Sequence, residues 1–313
     1  MACIDFAGWK LMRAAPAQAN RGRHRRGYAP GVTATRVAAV ALVLATATTG
    51  CFGGDGDGAT AVAIPEAELR EAGSLAVCSD TTRPPLEYRA SDGVLRGFEV
   101  DLVEEIAGRH DLEVEWVETA RAEIVDALVA GRCDAAASTF AVRRDGGTLG
   151  RVAATAYLST PVSLLVGPDA RLSVVANGLC GLRVGAFPAT LEHDVLEEHG
   201  AGCPANGRRL SIVAVASTPE ALEALRAGRL DAVLAEHPVN DWFARRQTDR
   251  FDLVWVLGGD VVVRWAIASA EGKTELYAAI RATLRELHAD GTFDVLLERW
   301  RLERTGVVAL PIP

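Results

Sequence analysis

Signatures of common enzymes are missing from this sequence. It has no His-Glu-x-x-His zinc motif, no Gly-x-Ser-x-Gly nucleophile turn, no phosphate-binding P-loop and no dinucleotide glycine fingerprint, and its six histidines are scattered. Aromatic residues make up only 6% of the chain, and there are two methionines. No apolar run is long enough for a membrane-spanning helix. On these absences the expectation is a protein that is not an enzyme and that uses no cofactor and no metal. The composition is otherwise that of a folded globular chain: 49% hydrophobic and 24% charged residues over 313 positions, enough for two modest domains.

Positive charge is scarce beyond the first 50 residues. That segment holds seven Lys or Arg against Asp5, a net of +6, so the rest of the chain carries −14 within a total of −8. Such a body is a poor partner for nucleic acid or an anionic membrane surface, because both draw most of their attraction from basic patches.

The body is organised around a phrase stated twice. Ala127-Leu128-Val129-Ala130-Gly131-Arg132-Cys133-Asp134-Ala135 recurs as Ala224-Leu225-Arg226-Ala227-Gly228-Arg229-Leu230-Asp231-Ala232, each followed by an apolar run. Each copy reads as a helix end, a glycine stop and a buried strand. Before the second copy Thr218 is the expected N-cap, with Pro219 first in the helix. A continuously apolar strand straight after a helix marks a parallel sheet covered on both faces. Two such units predict two α/β lobes, and in open α/β sheets ligands sit beyond the carboxyl ends of the strands.

At the N-terminus, Arg21, Arg23, Arg25, Arg26 and Arg36 precede an apolar run over 37–45 and then Thr48-Thr49-Gly50-Cys51. This order predicts a signal peptide over 1–50. Its end resembles a bacterial lipobox, with Cys51 as the lipidated first residue of the mature chain; a soluble form cut near Ala45 is the alternative. Residues 51–72 are expected to be a flexible acidic tether. In an exported chain the remaining Cys78, Cys133, Cys180 and Cys203 invite pairing and allow three connectivities. Cys180 with Cys203 and Cys78 with Cys133 is the first choice, although Cys78, in an apolar run, also fits a small buried hydrophobe.

Between these markers, Ser74 to Asp80 reads as a strand and Pro84-Pro85 as an extended loop. Phe98, Leu102 and Ile106 place a helix over 98–108, followed by a strand over 112–117. Pro161 to Val166 and Val261 to Ile267 read as strands crossing between lobes. The expected second lobe has a strand over 183–187, a helix over 190–198, a strand over 212–216 and a helix over 239–246. Helices closing the chain carry Leu276, Ile280, Leu284 and Leu287, then Phe293 to Trp300 after Gly291. The expected boundaries are lobe 1 at 73–163 plus 262–313 and lobe 2 at 164–261.

In this order the sequence resembles bacterial extracellular solute-binding proteins of the polar amino-acid class, family 3, which deliver ligands to ABC importers. The resemblance covers about residues 74–303. It is carried by Asp80 with Pro84-Pro85-Leu86-Glu87-Tyr88, by Gly97-Phe98-Glu99-Val100-Asp101-Leu102, by both Ala-Gly-Arg-x-Asp phrases, by Glu236-His237-Pro238 and by Ala289-Asp290-Gly291-Thr292-Phe293 leading to Trp300. It implies two Rossmann-like lobes joined by a two-strand hinge, a type II periplasmic-binding-protein-like fold. It also implies a lipid-anchored, extracytoplasmic, monomeric protein that captures a small polar solute, an amino acid or related carboxylate, for ABC permease subunits. In the family, acids at the positions of Asp80 and Glu236 hold the ligand's ammonium, one from each lobe.

Several positions depart from the family pattern. The usual Thr-x-Thr-x-x-Arg reads Ala141-Val142-Arg143-Arg144-Asp145-Gly146, so the arginine clamp for the ligand carboxylate falls on Gly146 and Arg143 or Arg144 must reach its place. Aromatic rings that sandwich the ligand fall near Arg83 and Arg121, and Gly-Thr-Thr becomes Ala189-Thr190-Leu191. The expected ligand set is Asp80, Arg83, Tyr88 and Arg121, with Ser138, Thr139, Phe140, Arg143 and Arg144 after the third strand, and Thr190 and Glu236 from the second lobe. Each has a plainer reading: Asp80, Thr190 and Glu236 as caps, the arginines as surface charges, Tyr88 and Phe140 as core. Four guanidinium groups around one pocket point to a solute with at least one carboxylate, such as an acidic or other polar amino acid. Two alternatives remain, a sensing or docking lipoprotein without a transport role and a cyclohexadienyl-dehydratase-like enzyme.

Overall fold

The computed structural model describes residues 10–12, 63–141, 151–168, 170, 178–204, 208–257 and 262–312. The expected signal peptide apart from residues 10–12, Cys51 and most of the tether, and Arg143 and Arg144, lie outside the described residues. The chain runs through β1 (Ser74–Ser79), a ribbon of β2 (Thr82–Arg83), β3 (Glu87–Arg89) and β4 (Leu95–Arg96), α1 (Phe98–Gly108), β5 (Glu113–Glu118), α2 (Ile124–Val129), β6 (Ala135–Ala141) and the long β7 (Val152–Val166). It continues with β8 (Arg183–Ala186), α3 (Leu191–Ala201), β9 (Ser211–Ala214), α4 (Thr218–Arg226), β10 (Ala232–Glu236), α5 (His237–Arg246) and β11 (Asp252–Leu257). It closes with β12 (Val262–Ala270), α6 (Thr274–Ala289), α7 (Thr292–Trp300) and β13 (Val308–Ala309).

The main sheet has the order β9-β8-β10-β7-β12-β6-β1-β5, parallel at both ends and antiparallel in the middle. β11 and β13 also pair with β7, and Lys10–Met12 pairs with β11. The parallel ends are the two βα units that the repeated phrase announces. Gly131 and Gly228 stop the two helices at φ +70° and +64°, a backbone that glycine adopts without cost. The phrase's aspartate explains the repetition. Asp134, fully buried, accepts from the backbone N–H groups of Arg70 and Ala76 and from Lys273 Nζ, so it ties the start of β6 to β1. Asp231 accepts from the Arg183 backbone N–H and guanidinium and ties β10 to β8 in the same way.

Two expectations are corrected. The crossing strand begins at Val152 rather than Pro161, because residues 152–161 pair with β12 before 162–166 pair with β10 and β11. The cap of α4 is Ser217 rather than Thr218: Ser217 Oγ accepts from the Glu220 N–H, the Glu220 carboxylate accepts from the Ala216 N–H, and Thr218 is already helical. Both expected disulfides are present, Cys78–Cys133 and Cys180–Cys203. The stripe Phe98, Leu102 and Ile106 is buried in a core that also takes Trp265 of β12 and Phe293 of α7.

Gly97 places the loop that leads into α1. Its φ is +149°, and a Cβ there would lie 1.9 Å from the Leu86 carbonyl oxygen. This close approach lets Pro85 O and Leu86 O accept the first amides of α1, from Phe98 and Glu99, and so fixes the segment Arg83 to Glu87 on the helix start.

Candidate functional site

The carboxyl ends of the parallel strands converge on a buried polar cluster. Asp80 follows β1, Ser138 lies in β6, Arg121 follows β5, Phe187 follows β8 and Glu236 ends β10. Arg83 comes from the ribbon. Ser138 Oγ accepts from the Asp80 N–H at 3.1 Å and donates to Glu87 Oε1 at 3.0 Å. Asp80 Oδ1 accepts from the Thr82 N–H and hydroxyl at 3.2 and 2.7 Å, which is the turn cap anticipated for it, while Oδ2 is buried without a hydrogen-bond partner among the described residues. Burial raises the Asp80 pKa against the pull of Arg83.

Arg83 is fully buried rather than a surface charge. Its Nη2 donates to Glu236 Oε2, and Nε and Nη1 have no partner among the described residues. Burial alone would favour its neutral form, but the carboxylates of Glu236 and Glu87 outweigh that and raise its pKa. Arg121 donates from Nη2 to Glu236 Oε1 and from Nη1 to the Ser138 carbonyl, each at 3.2 Å. Both guanidinium groups lie over the Phe187 ring, 5.7 and 5.6 Å from its centroid. Glu236 stands at the N-cap position of α5 but makes no capping bond with its side chain; its carboxylate serves the two arginines instead.

Thr190 caps α3, accepting from the His193 N–H and donating to the Phe187 carbonyl. Tyr88 lies away from this cluster, its ring against Trp242 of α5 at 5.6 Å and edge-on to Trp300 of α7 at 6.3 Å. Thr139 and Phe140 are placed in β6 by backbone, with side chains outside the described residues, as Arg143 and Arg144 are entirely.

Four residues missed from sequence complete the cluster. Glu99 accepts from the Tyr157 hydroxyl, and burial followed by the charge of Glu99 raises the Glu87 pKa well above the usual range. Glu192, in the first turn of α3, is likewise against Glu236, and burial with that neighbour pushes its pKa up to about 8. Glu87 and Glu99 stand in motifs that the family resemblance already singled out, whereas Glu192 had no signal beyond its place after Thr190. Beside the cluster a cavity of about 210 Å³ is lined by Arg121, Phe187, Pro188, Val215, Ala216 and Glu220.

Residues 75–174 match the family model of bacterial extracellular solute-binding proteins, family 3. That stretch, within the first half of the described fold, is similar to the family 3 solute-binding sequence. It is 29% identical over 246 residues to the arginine-binding protein ArgT of Corynebacterium glutamicum, covering 77% of this chain and 78% of that one. It is 24% identical over 236 residues to the histidine-binding periplasmic protein of Escherichia coli K12, covering 72% and 87%. Among solved structures, a Salmonella typhimurium periplasmic binding protein described as having high arginine specificity superposes with a TM-score of 0.64 at 17% identity, over 73% of this chain and 99% of that one. The fold of this chain is therefore α/β and periplasmic-binding-protein-like, of type II.

Proposed function

We propose that the chain is an extracytoplasmic binder, not an enzyme, that captures an amino acid between two lobes and hands it to an ABC permease. One observation carries the reading. Asp80 and Arg83, three residues apart and both buried, present an acceptor (Oδ2) and two donors (Nε and Nη1) that no group among the described residues satisfies. Buried polar atoms are rarely left unpaired, and this set complements the ammonium and carboxylate of an α-amino acid. In this reading Asp80 takes the ammonium, Arg83 and Arg121 take the carboxylate, and the side chain enters the cavity beside Phe187. Residues 73–163 with 262–313 form one lobe and 164–261 the other, and β7 and β12 are the hinge strands. ArgT and the histidine-binding protein make arginine and histidine the first solutes to test.

A thermal-shift panel of amino acids, dicarboxylates and small amines tests it: a ligand at about a hundredfold its Kd adds roughly 2.7 kcal/mol, a shift of about 5 to 10 °C for lobes of this size. No shift with any amino acid would refute the reading. We place the anchor at Cys51. Cys51→Ser should release the chain from membranes or block its processing, and a fully processed, membrane-retained variant would refute the anchor.

A further inference from the structure

We infer that Glu236 is a positioning residue that bridges the two halves of the sheet and aims the arginines, and that the solute's ammonium is held from one side only, by Asp80. In the family pattern the acid at this position contacts the ammonium. Here both of its oxygens are already engaged. Oε2 accepts from Arg83 Nη2 and Oε1 from Arg121 Nη2, and the residue is buried. Arg83 and Arg121 belong to the half built on β1, β5 and β6, and Glu236 ends β10 in the other half, so these two ion pairs join the halves through protein groups alone.

The geometry also assigns what each guanidinium has left. With Nη2 turned to Glu236, Arg83 keeps Nε and Nη1 for a solute carboxylate. A carboxylate between two guanidinium groups offsets their mutual repulsion over the one Phe187 ring and fixes both planes. Glu192, buried in the first turn of α3, adds a carboxyl that interacts with Glu236, so the Glu236 carboxylate meets groups from the ribbon, the turn after β5 and the start of α3.

The solute-binding part of this inference rests on the amino-acid reading above; the bridging part does not. The test compares the full chain with Glu236→Gln and with Glu236→Asp, which keeps the charge and shortens the reach. Affinity is measured for L-arginine, for 5-guanidinopentanoate, which lacks the ammonium, and for agmatine, which lacks the carboxylate. A residue acting through the arginines predicts that both variants weaken L-arginine and 5-guanidinopentanoate in parallel, by about tenfold or more for Gln, and leave agmatine unchanged. Loss confined to L-arginine and agmatine would place Glu236 on the ammonium and overturn the inference, as would unchanged affinity for all three. Small-angle scattering without solute reads the bridge: Glu236→Gln should raise the radius of gyration over the parent, and an unchanged value overturns the bridge even if no amino acid binds.

Discussion

Glu192 keeps its proton near neutral pH because its burial and the Glu236 carboxylate both disfavour a second charge. Its folded pKa, about 8, stands above the ordinary 4.5 it regains on unfolding. A raised carboxyl pKa gives stability that is complete below about pH 4.5 and is lost as pH rises to about 8, because only the unfolded state ionises in that window. Glu192→Gln removes this slope. Urea midpoints of parent and variant should therefore diverge in the variant's favour between pH 5 and pH 8, whereas parallel curves would contradict the assignment. Glu192 also shows why part of the site could not be read from sequence. An acid in the first turn of a helix, followed by Asp194 and Glu197, has the look of a solvated face, and only tertiary contact with Glu236 reveals the buried pair. Arg83 and Arg121 were legible as departures from an aromatic pattern, but their common partner was not, because Glu236 lies far along the chain from both.

At the scale of elements, periodicity and glycine stops located most helices and strands. The stripe of Phe98, Leu102 and Ile106 and the stops at Gly131 and Gly228 stand where expected. The errors fall where two adjacent residues compete, as Ser217 and Thr218 do for one cap, or where pairing extends an element beyond its apolar run, as in β7. The role of Asp134 and Asp231 is hidden for a related reason: the phrase recurs in the sequence, but a strand-tying carboxylate looks like any loop acid until its backbone partners are known. Gly97 carries the sharpest local demand. Gly97→Ala combines a positive φ with a Cβ on the Leu86 carbonyl and should cost about 2 kcal/mol or more in urea unfolding. A cost below about 0.5 kcal/mol would show that the loop yields there.

Over the whole molecule, one sheet with parallel ends and an antiparallel middle carries two βα units on shared strands, and each unit has its own disulfide. Cys78–Cys133 spans 55 positions and Cys180–Cys203 spans 23. On chain entropy alone they stabilise by about 4 and about 3 kcal/mol, so replacing the first pair by alanine should lower the denaturation midpoint more than replacing the second. The reverse order would mean that native packing, not loop closure, sets their worth. The central claim is that Asp80 and Arg121 hold the two charged ends of one amino acid between the units. Calorimetric titration of the parent, Asp80→Asn and Arg121→Ala with the amino acid selected by the panel tests it most directly. The account predicts one solute per chain for the parent and a loss of about 2 to 5 kcal/mol of binding for each variant. Variants that bind as tightly as the parent would contradict it.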